Sequence, residues 1–250
     1  MIKVILSGCC GHMGKVITEL VKEQNEITIV AGVDLCKQSL SYPVYEKFGQ
    51  IQESADVIID FSHPNCLDSL LAFATEKKIP AVICTTGLNC CQVDSIREAA
   101  KTVPMFFSGN MSLGINLLAA LVKKAAQVLG DKADIEIIEA HHNLKIDAPS
   151  GTANMLLDAA IEGLDQEMIP EYDRHSRRQK RPKNEIGMHS IRGGTIVGEH
   201  QVIFAGKDEI VTLSHSARSK EVFAVGAVKA AAFVVGKEPK LYDMTDLVSE

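Results

Sequence analysis

Two histidines and a lysine that could move protons lie close together in the stretch 139–153, which reads E-A-H-H-N-L-K-I-D-A-P-S-G-T-A. His141 and His142 can exchange protons near neutral pH, and Lys145 supplies a full positive charge. The stretch follows an apolar segment typical of a buried strand and runs into a helical pattern. Because charged groups are costly to bury, these side chains are expected to line a cleft.

An anion-binding site is indicated a few residues further on, where Pro149 and Ser150 begin a typical helix start. The backbone N–H groups of Gly151 and Thr152 at such a start suit a carboxylate. Lys145 adds its charge nearby. The lysine and the helix N-terminus together predict a site for a small dicarboxylate.

Two other interpretations of the histidine pair stay open. With Glu139 it could form a metal site, but neighbours on a strand point to opposite faces, and no cysteine or third histidine stands at ligand spacing. We therefore expect no metal. The pair could also be ordinary packing, although Lys145 and the helix start favour a site.

A second candidate site is the glycine-rich turn 8–14, G-C-C-G-H-M-G. Cys10 stands where the G-x-G-x-x-G pattern has its middle glycine. Gly8 can still make the tight turn, Gly11 lets the backbone approach a pyrophosphate, and Gly14 lets the helix sit close to the sheet. The pyrophosphate would lie at the helix N-terminus, where free N–H groups favour anions.

Asp34 extends this second site. It ends a predicted strand 20 residues beyond Gly14, where a carboxylate would accept hydrogen bonds from the adenosine ribose. A turn without a ligand is the alternative that the loop alone leaves open. With strand, helix and Asp34 in register, the pattern favours binding of NADH or NADPH.

The scaffold of the N-terminal half alternates short apolar runs with helical patterns. This alternation predicts parallel strands joined by right-handed crossovers, a Rossmann-like doubly wound sheet of the α/β class. The predicted strands are 3–7, 27–34, 57–61, 81–84 and 105–108, and the predicted helices are 13–24, 65–77 and 91–100.

The pattern changes at Ser112. Strands in direct succession predict a C-terminal α+β domain whose antiparallel or mixed sheet is faced by helices. Its predicted helices are 113–129 and 152–161, its predicted strands are 135–140, 187–192, 198–205 and 209–216, and a helix at 222–235 closes the chain. We expect a dinucleotide-binding domain at 1–111, to which 219–250 return, and a domain for substrate binding and oligomerisation at 112–218.

The bulk composition excludes several classes of protein. A chain of 250 residues with 46% hydrophobic and 23% charged residues is ordinary for a soluble globular protein, and its net charge of −6 gives no general attraction to nucleic acid or anionic membranes. No apolar stretch approaches the roughly 20 residues of a membrane span. The apolar segment that follows Met1 is too short and too strand-like for a signal peptide. Seven irregularly spaced cysteines favour free thiols. A cytoplasmic location is expected.

The stretch 139–152 resembles the signature of the 4-hydroxy-tetrahydrodipicolinate reductase family. The likeness covers nearly the whole chain, including 8–14, D-F-S-H-P at 60–64, T-T-G at 85–87, G-N-M-S-L-G-I-N at 109–116, G-T-I-V-G-E-H at 194–200 and the helix at 223–236. The resemblance implies a homotetrameric enzyme of lysine and diaminopimelate biosynthesis. It would use NADH or NADPH to reduce a hydroxylated tetrahydropyridine dicarboxylate, with loss of water.

The resemblance also implies roles for single residues. His141 would be the acid/base and Lys145 the proton donor. His142, Gly151 and Thr152 would bind the substrate. The residues expected to bind the cofactor are Gly8, Cys9, Cys10, Gly11, His12, Met13, Asp34, Cys84, Thr85, Thr86, Ser108, Gly109, Asn110 and Met111.

Some positions depart from the family pattern. Cys10 and Cys84 replace glycines that are common there, and Met111 replaces a common phenylalanine. Leu35 stands where members that accept NADPH often carry arginine. NADH is therefore expected to serve at least as well as NADPH, with Lys37 as the residue that could oppose this.

Two alternative functions are another two-domain reductase, such as a semialdehyde or homoserine dehydrogenase, and a nicotinamide-sensing binding protein. A semialdehyde dehydrogenase would need a nucleophilic cysteine in the second domain, whereas every cysteine lies within the first 91 residues. A nicotinamide-sensing protein would have a degraded catalytic segment, which here is intact. The basic run 174–183 is interpreted as a solvated loop, with steering of an anionic substrate as the alternative.

Overall fold

The chain folds into two compact units in a computed structural model that describes residues 1–36 and 38–249. One unit contains Met1–Leu113 and the C-terminal segment from Glu221, and the other contains Gly114–Lys220. Each boundary lies two residues after the one expected from the sequence.

The first unit is built on a seven-stranded sheet in the order β12-β6-β5-β4-β1-β2-β3. All neighbouring strands in this sheet are parallel. The strand order reverses at β1, which is where doubly wound folds bind ligands, at the carboxyl ends of the strands. The strands are β1 (Ile2–Ser7), β2 (Ile27–Val33), β3 (Val44–Tyr45), β4 (Val57–Asp60), β5 (Ala81–Ile83), β6 (Met105–Phe107) and β12 (Leu241–Tyr242).

Helices cover the first unit's sheet on both faces, so the predicted α/β class is confirmed. One apolar cluster includes Ile17 of α1 and Ala227 of α6. Another includes Leu70 of α2 and Ile96 of α3. Within the described residues, no helix is both long and apolar enough to cross a membrane. The helices are α1 (His12–Lys22), α2 (Leu67–Lys77), α3 (Cys90–Ala99), α6 (Glu221–Val234) and α7 (Met244–Val248), with 3-10 turns at Phe48–Gln50 and Pro64–Cys66.

The second unit has a five-stranded sheet in the order β11-β10-β7-β9-β8. Strands β7 and β9 run parallel, whereas β10 is antiparallel to both of its neighbours. The predicted mixed sheet is therefore confirmed, and apolar side chains from it and from α4 and α5 form one core. Its elements are α4 (Leu113–Leu129), β7 (Asp134–His141), α5 (Gly151–Glu162), β8 (Ile169–Glu171), β9 (Glu185–Arg192), β10 (Gly198–Ala205) and β11 (Ile210–Ala217).

The basic run 174–183 is a loop, as expected, but three of its arginines also pair with acidic residues of the sheet. Arg174 pairs with Glu185, Arg177 pairs with Glu171, and Arg181 reaches two acidic residues of β7. The strand β8 lies just before this run and was not predicted, because three residues are too few to give a pattern. These ion pairs attach the run to strands β7, β8 and β9.

Candidate active site

The candidate active site lies in the second unit, at the carboxyl end of β7, on the side of the sheet that faces α5. The apolar core on that side ends just before it. Every second residue of β7 faces α5, and these positions change from the buried Ile135 and Ile137 to Glu139 and His141. Because β9 runs parallel to β7, its own end, Arg192, pairs in register with His141. The same alternation that builds the core therefore gathers polar groups at the end of the sheet.

Glu139 is the centre of this polar cluster, with only 1% of its surface exposed. Its carboxylate oxygens lie 2.7 and 2.8 Å from the Arg192 guanidinium and 2.6 Å from Nδ1 of His141. The backbone N–H of Ser150 donates to it at 3.2 Å. Because several donors fix this buried carboxylate, it in turn fixes the orientation of the His141 ring.

The charge of Glu139 is stabilised despite its burial. Burial alone would raise the pKa of this carboxyl, but hydrogen bonds from Arg192, Ser190 and His141 outweigh it and lower the pKa to about 2. A carboxylate only accepts hydrogen bonds, so Nδ1 of His141 carries the proton. The other ring nitrogen, Nε2, lies beside Gly198, where an added Cβ would approach it to 3.2 Å.

His200 links the cluster to the start of α5. Its Nε2 lies 3.1 Å from Oγ of Ser150, which caps the helix by accepting from the backbone N–H of Ala153. Its ring also stands edge-to-face on that of His141, with centroids 5.1 Å apart. Burial, followed by the nearby His141, lowers the pKa of His200 to about 4, so this ring is neutral at physiological pH.

The neutral His200 should make the protein less stable in mild acid. Between about pH 6.5 and about pH 4, His200 is protonated in the unfolded chain but stays neutral in the folded chain. The free energy of unfolding therefore falls as pH falls. The loss should be on the order of 3 kcal/mol. Urea unfolding of wild type and His200→Gln at both ends of this range measures it. The control is His189→Gln, which changes an exposed histidine and should keep the wild-type dependence of the unfolding free energy on pH. If His200→Gln also keeps the wild-type dependence, His200 is not the group responsible.

Lys145 and the proposed substrate-binding residues lie in and after the loop that follows β7. Nζ of Lys145 is 2.9 Å from Oδ1 of Asp147, and the backbone of Asp147 is held by Arg192 at 2.6 Å. Nδ1 of His142 is buried without a hydrogen-bond partner among the described residues. The loop then reaches the first turn of α5, which supplies Gly151 and Thr152.

The glycine-rich turn is shaped for close backbone approach. Gly8 has φ +78°, and a Cβ there would collide with the Phe61 carbonyl. A Cβ on Gly14 would collide with the backbone of Gly8 and Cys9, so α1 can lie directly on the turn. Gly11 provides no side chain to cap α1, which leaves the helix N-terminus suited to a pyrophosphate. These features fit a dinucleotide.

Asp34 lies against the same turn. Its carboxylate accepts from the backbone N–H groups of Cys10 and Cys36, at 2.9 and 3.0 Å. Gly8, Gly11 and Asp34 line a cavity of about 590 Å³. Donor atoms of Cys9, Cys10 and Asp34 also lie within 4.8 Å of one another, a spacing that could hold a metal ion.

The remaining expected cofactor residues follow β5 and β6. Thr85 is buried, and its hydroxyl donates at 2.6 Å to the carboxylate of Asp60, which also accepts at 2.6 Å from the hydroxyl of Ser62. Burial raises the pKa of Asp60 above its usual value and that of the Cys84 thiol well above its own. His12 and Thr86 are exposed, Met13 and Ser108 are half-buried, and Met111 is buried. Gly109 is exposed, and Oδ1 of Asn110 accepts from the N–H of Ser112.

Sequence reasoning missed three members of the active-site cluster. Glu139 was considered only as a metal ligand, His200 was given no role, and Arg192 was not considered. The signal that could have found them is the alternation of the strands. On the core-facing side, Glu139 follows Ile137, Arg192 follows Met188 and Ser190, and His200 precedes Val202.

Comparisons with known proteins agree with this architecture. Residues 114–248 match the family model for the C-terminus of dihydrodipicolinate reductase, and residues 2–111 match the model for its N-terminus. The chain is 52% identical over 250 residues to the 4-hydroxy-tetrahydrodipicolinate reductase of Caldanaerobacter subterraneus subsp. tengcongensis, covering 100% of this chain and 99% of that protein. It is 49% identical over 249 residues to that of Clostridium novyi, covering 99% and 98%.

A solved structure shows the same fold. It is the dipicolinate-bound dihydrodipicolinate reductase from Paenisporosarcina sp. TG-14, which matches with a TM-score of 0.82 at 22% identity and covers 97% of both chains. Both halves of the chain match the two parts of one enzyme family, and the full-length relatives match it end to end. The chain belongs to the dihydrodipicolinate reductase family.

Proposed function

We propose that this protein reduces 4-hydroxy-tetrahydrodipicolinate to tetrahydrodipicolinate with NADH or NADPH, with release of the ring hydroxyl as water, in the biosynthesis of lysine and diaminopimelate. The observation that carries the proposal is the cluster in which Glu139 orients His141 at the end of β7, beside the start of α5. It combines groups that move protons with groups that bind carboxylates. Likeness to the family supports a homotetramer working in the cytoplasm, and sedimentation of the purified protein tests the oligomeric state.

The chain's own residues divide the work between protonation and binding. When bound, the reduced nicotinamide supplies a hydride, and the glycine turn with Asp34 would hold its dinucleotide. Lys145 donates a proton to the substrate ring as negative charge develops there, and His141 serves as acid/base. The N–H groups of Gly151 and Thr152 hold a carboxylate at the N-terminus of α5, and His142 helps to bind the ring.

Cofactor preference should follow from the charge of Asp34. Its carboxylate can bond a ribose 2′-hydroxyl but repels a 2′-phosphate, and the neighbouring Leu35 brings no compensating charge. We therefore expect kcat/KM with NADH to equal or exceed that with NADPH. Steady-state kinetics with both cofactors measures this, and a clear preference for NADPH would contradict it. Lys37, which could reach a phosphate, lies outside the described residues.

Pyridine-2,6-dicarboxylate should inhibit competitively against the substrate. It is flat and carries two carboxylates, so Lys145 and the N-terminus of α5 should bind it through charge-assisted hydrogen bonds. Initial rates at several substrate concentrations test this. If the compound does not compete at millimolar levels, the dicarboxylate site is misassigned.

A coupled assay tests the reaction itself. The condensation product of pyruvate and aspartate semialdehyde is generated in place, the purified protein is added, and NADH absorbance is followed. We expect absorbance to fall only when protein and condensation product are both present. No fall with either NADH or NADPH would overturn the proposed function.

A further inference from the structure

The two kinds of group proposed to hold a substrate carboxylate already bind a carboxylate of the chain itself. Nζ of Lys145 lies 2.9 Å from Oδ1 of Asp147. The backbone N–H of Gly151, at the first turn of α5, also lowers the pKa of the Asp147 carboxyl. Asp147 therefore places a carboxylate next to Lys145 and the start of α5, where a carboxylate of the substrate is expected to bind.

We propose that Asp147 is a placeholder for the substrate, occupying the carboxylate position in the free protein and leaving it when a ligand carboxylate binds. This inference rests on the proposed function, because it requires that Lys145 and Gly151 bind a dicarboxylate. It adds a residue that sets the affinity of the site without contacting the ligand.

The anchoring of the loop makes such an exchange simple. Arg192 holds the backbone carbonyl of Asp147 at 2.6 Å, whereas the side chain of Asp147 is 57% exposed. Rotation about side-chain bonds is then enough to move the carboxylate into water, where it is well solvated. The backbone bond to Arg192 stays in place.

The placeholder also keeps Lys145 paired while the site is empty. The Lys145 side chain is only 22% exposed, so losing its partner without replacement would be costly. The contact with Lys145 lowers the pKa of Asp147, and Asp147 is therefore ionised at neutral pH. An incoming dicarboxylate must replace a charged competitor, which weakens its apparent affinity.

Calorimetric titration with pyridine-2,6-dicarboxylate, without cofactor, tests the inference. Asp147→Asn should bind the compound about fivefold more tightly than wild type, which corresponds to the ~1 kcal/mol upper range of an exposed ion pair. Asp158→Asn removes the same charge from an exposed position on α5 and should change affinity less than about twofold. Asp147→Glu restores a carboxylate and should bring affinity back toward wild type.

Each outcome decides between the two proposals. Equal affinity in wild type and Asp147→Asn, or an equal gain in Asp158→Asn, would overturn the placeholder role while leaving the dicarboxylate site intact. Weaker binding by Asp147→Asn would also overturn it, because Asp147 would then assist the ligand. Failure of wild type and all variants to bind would overturn the dicarboxylate site and the exchange together.

Discussion

Lys145→Ala is expected to lower kcat by about 10²-fold or more while leaving the affinity for NADH nearly unchanged. The loss follows because a positioned proton donor contributes typically 10²–10⁴-fold to a rate. The affinity should persist because the glycine turn and Asp34, which would hold the dinucleotide, belong to the other unit. Steady-state kinetics with a fluorescence titration of NADH measures both quantities.

Two further variants separate catalysis from cofactor binding and from stability. His141→Ala should resemble Lys145→Ala, because both residues act on the ring. Asp34→Ala should do the reverse, weakening NADH binding with a modest effect on kcat at saturation. Melting curves complete the comparison, since a purely structural role for His141 and Lys145 would lower thermal stability together with activity.

Arg192→Ala should be the most destabilising change in the active-site cluster. It would leave the carboxylate of Glu139, which is 1% exposed, without its main partner. Breaking a buried ion pair from one side typically costs about 3–5 kcal/mol, because an uncompensated charge remains. Urea unfolding measures the loss, and activity should fall as well because Glu139 would no longer orient His141.

Arg181→Ala provides the matched control for this change. Arg181 is as enclosed as Arg192, but its partners Asp134 and Glu136 are 56% and 24% exposed and can turn to water. We therefore expect a smaller loss, within about 1 kcal/mol for each exposed pair. An Arg192→Ala protein no less stable than Arg181→Ala would show that Glu139 is not held as described.

The fold could largely be predicted because its signals are local. The alternation of apolar runs and helical patterns predicted the parallel sheet of the first unit, and the strands in succession predicted the mixed sheet of the second. The short strands β3, β8 and β12 were missed, since two or three residues give no periodicity. They are held by pairing: β3 and β8 pair with strands that adjoin them in the chain, whereas β12 pairs with the distant β6.

The candidate site could be predicted only where its residues are close in sequence. His141, Lys145 and Gly151 lie within one stretch that carries a recognisable signature. Arg192 and His200 join it from strands more than fifty positions after Glu139, and only the register of the sheet brings them there. Arg192 neutralises Glu139, and His200 packs on His141 and contacts Ser150. Such supporting contacts come from separate strands and form no continuous sequence motif.

Transfer of deuterium tests the central claim most directly. The protein is given the condensation product of pyruvate and aspartate semialdehyde together with NADH that carries deuterium at both positions of nicotinamide C4, and the dicarboxylate product is analysed by mass spectrometry. The account predicts tetrahydrodipicolinate carrying one deuterium, formed by wild type and at a strongly reduced rate by Lys145→Ala. A product without deuterium, or equal rates from both proteins, would contradict it.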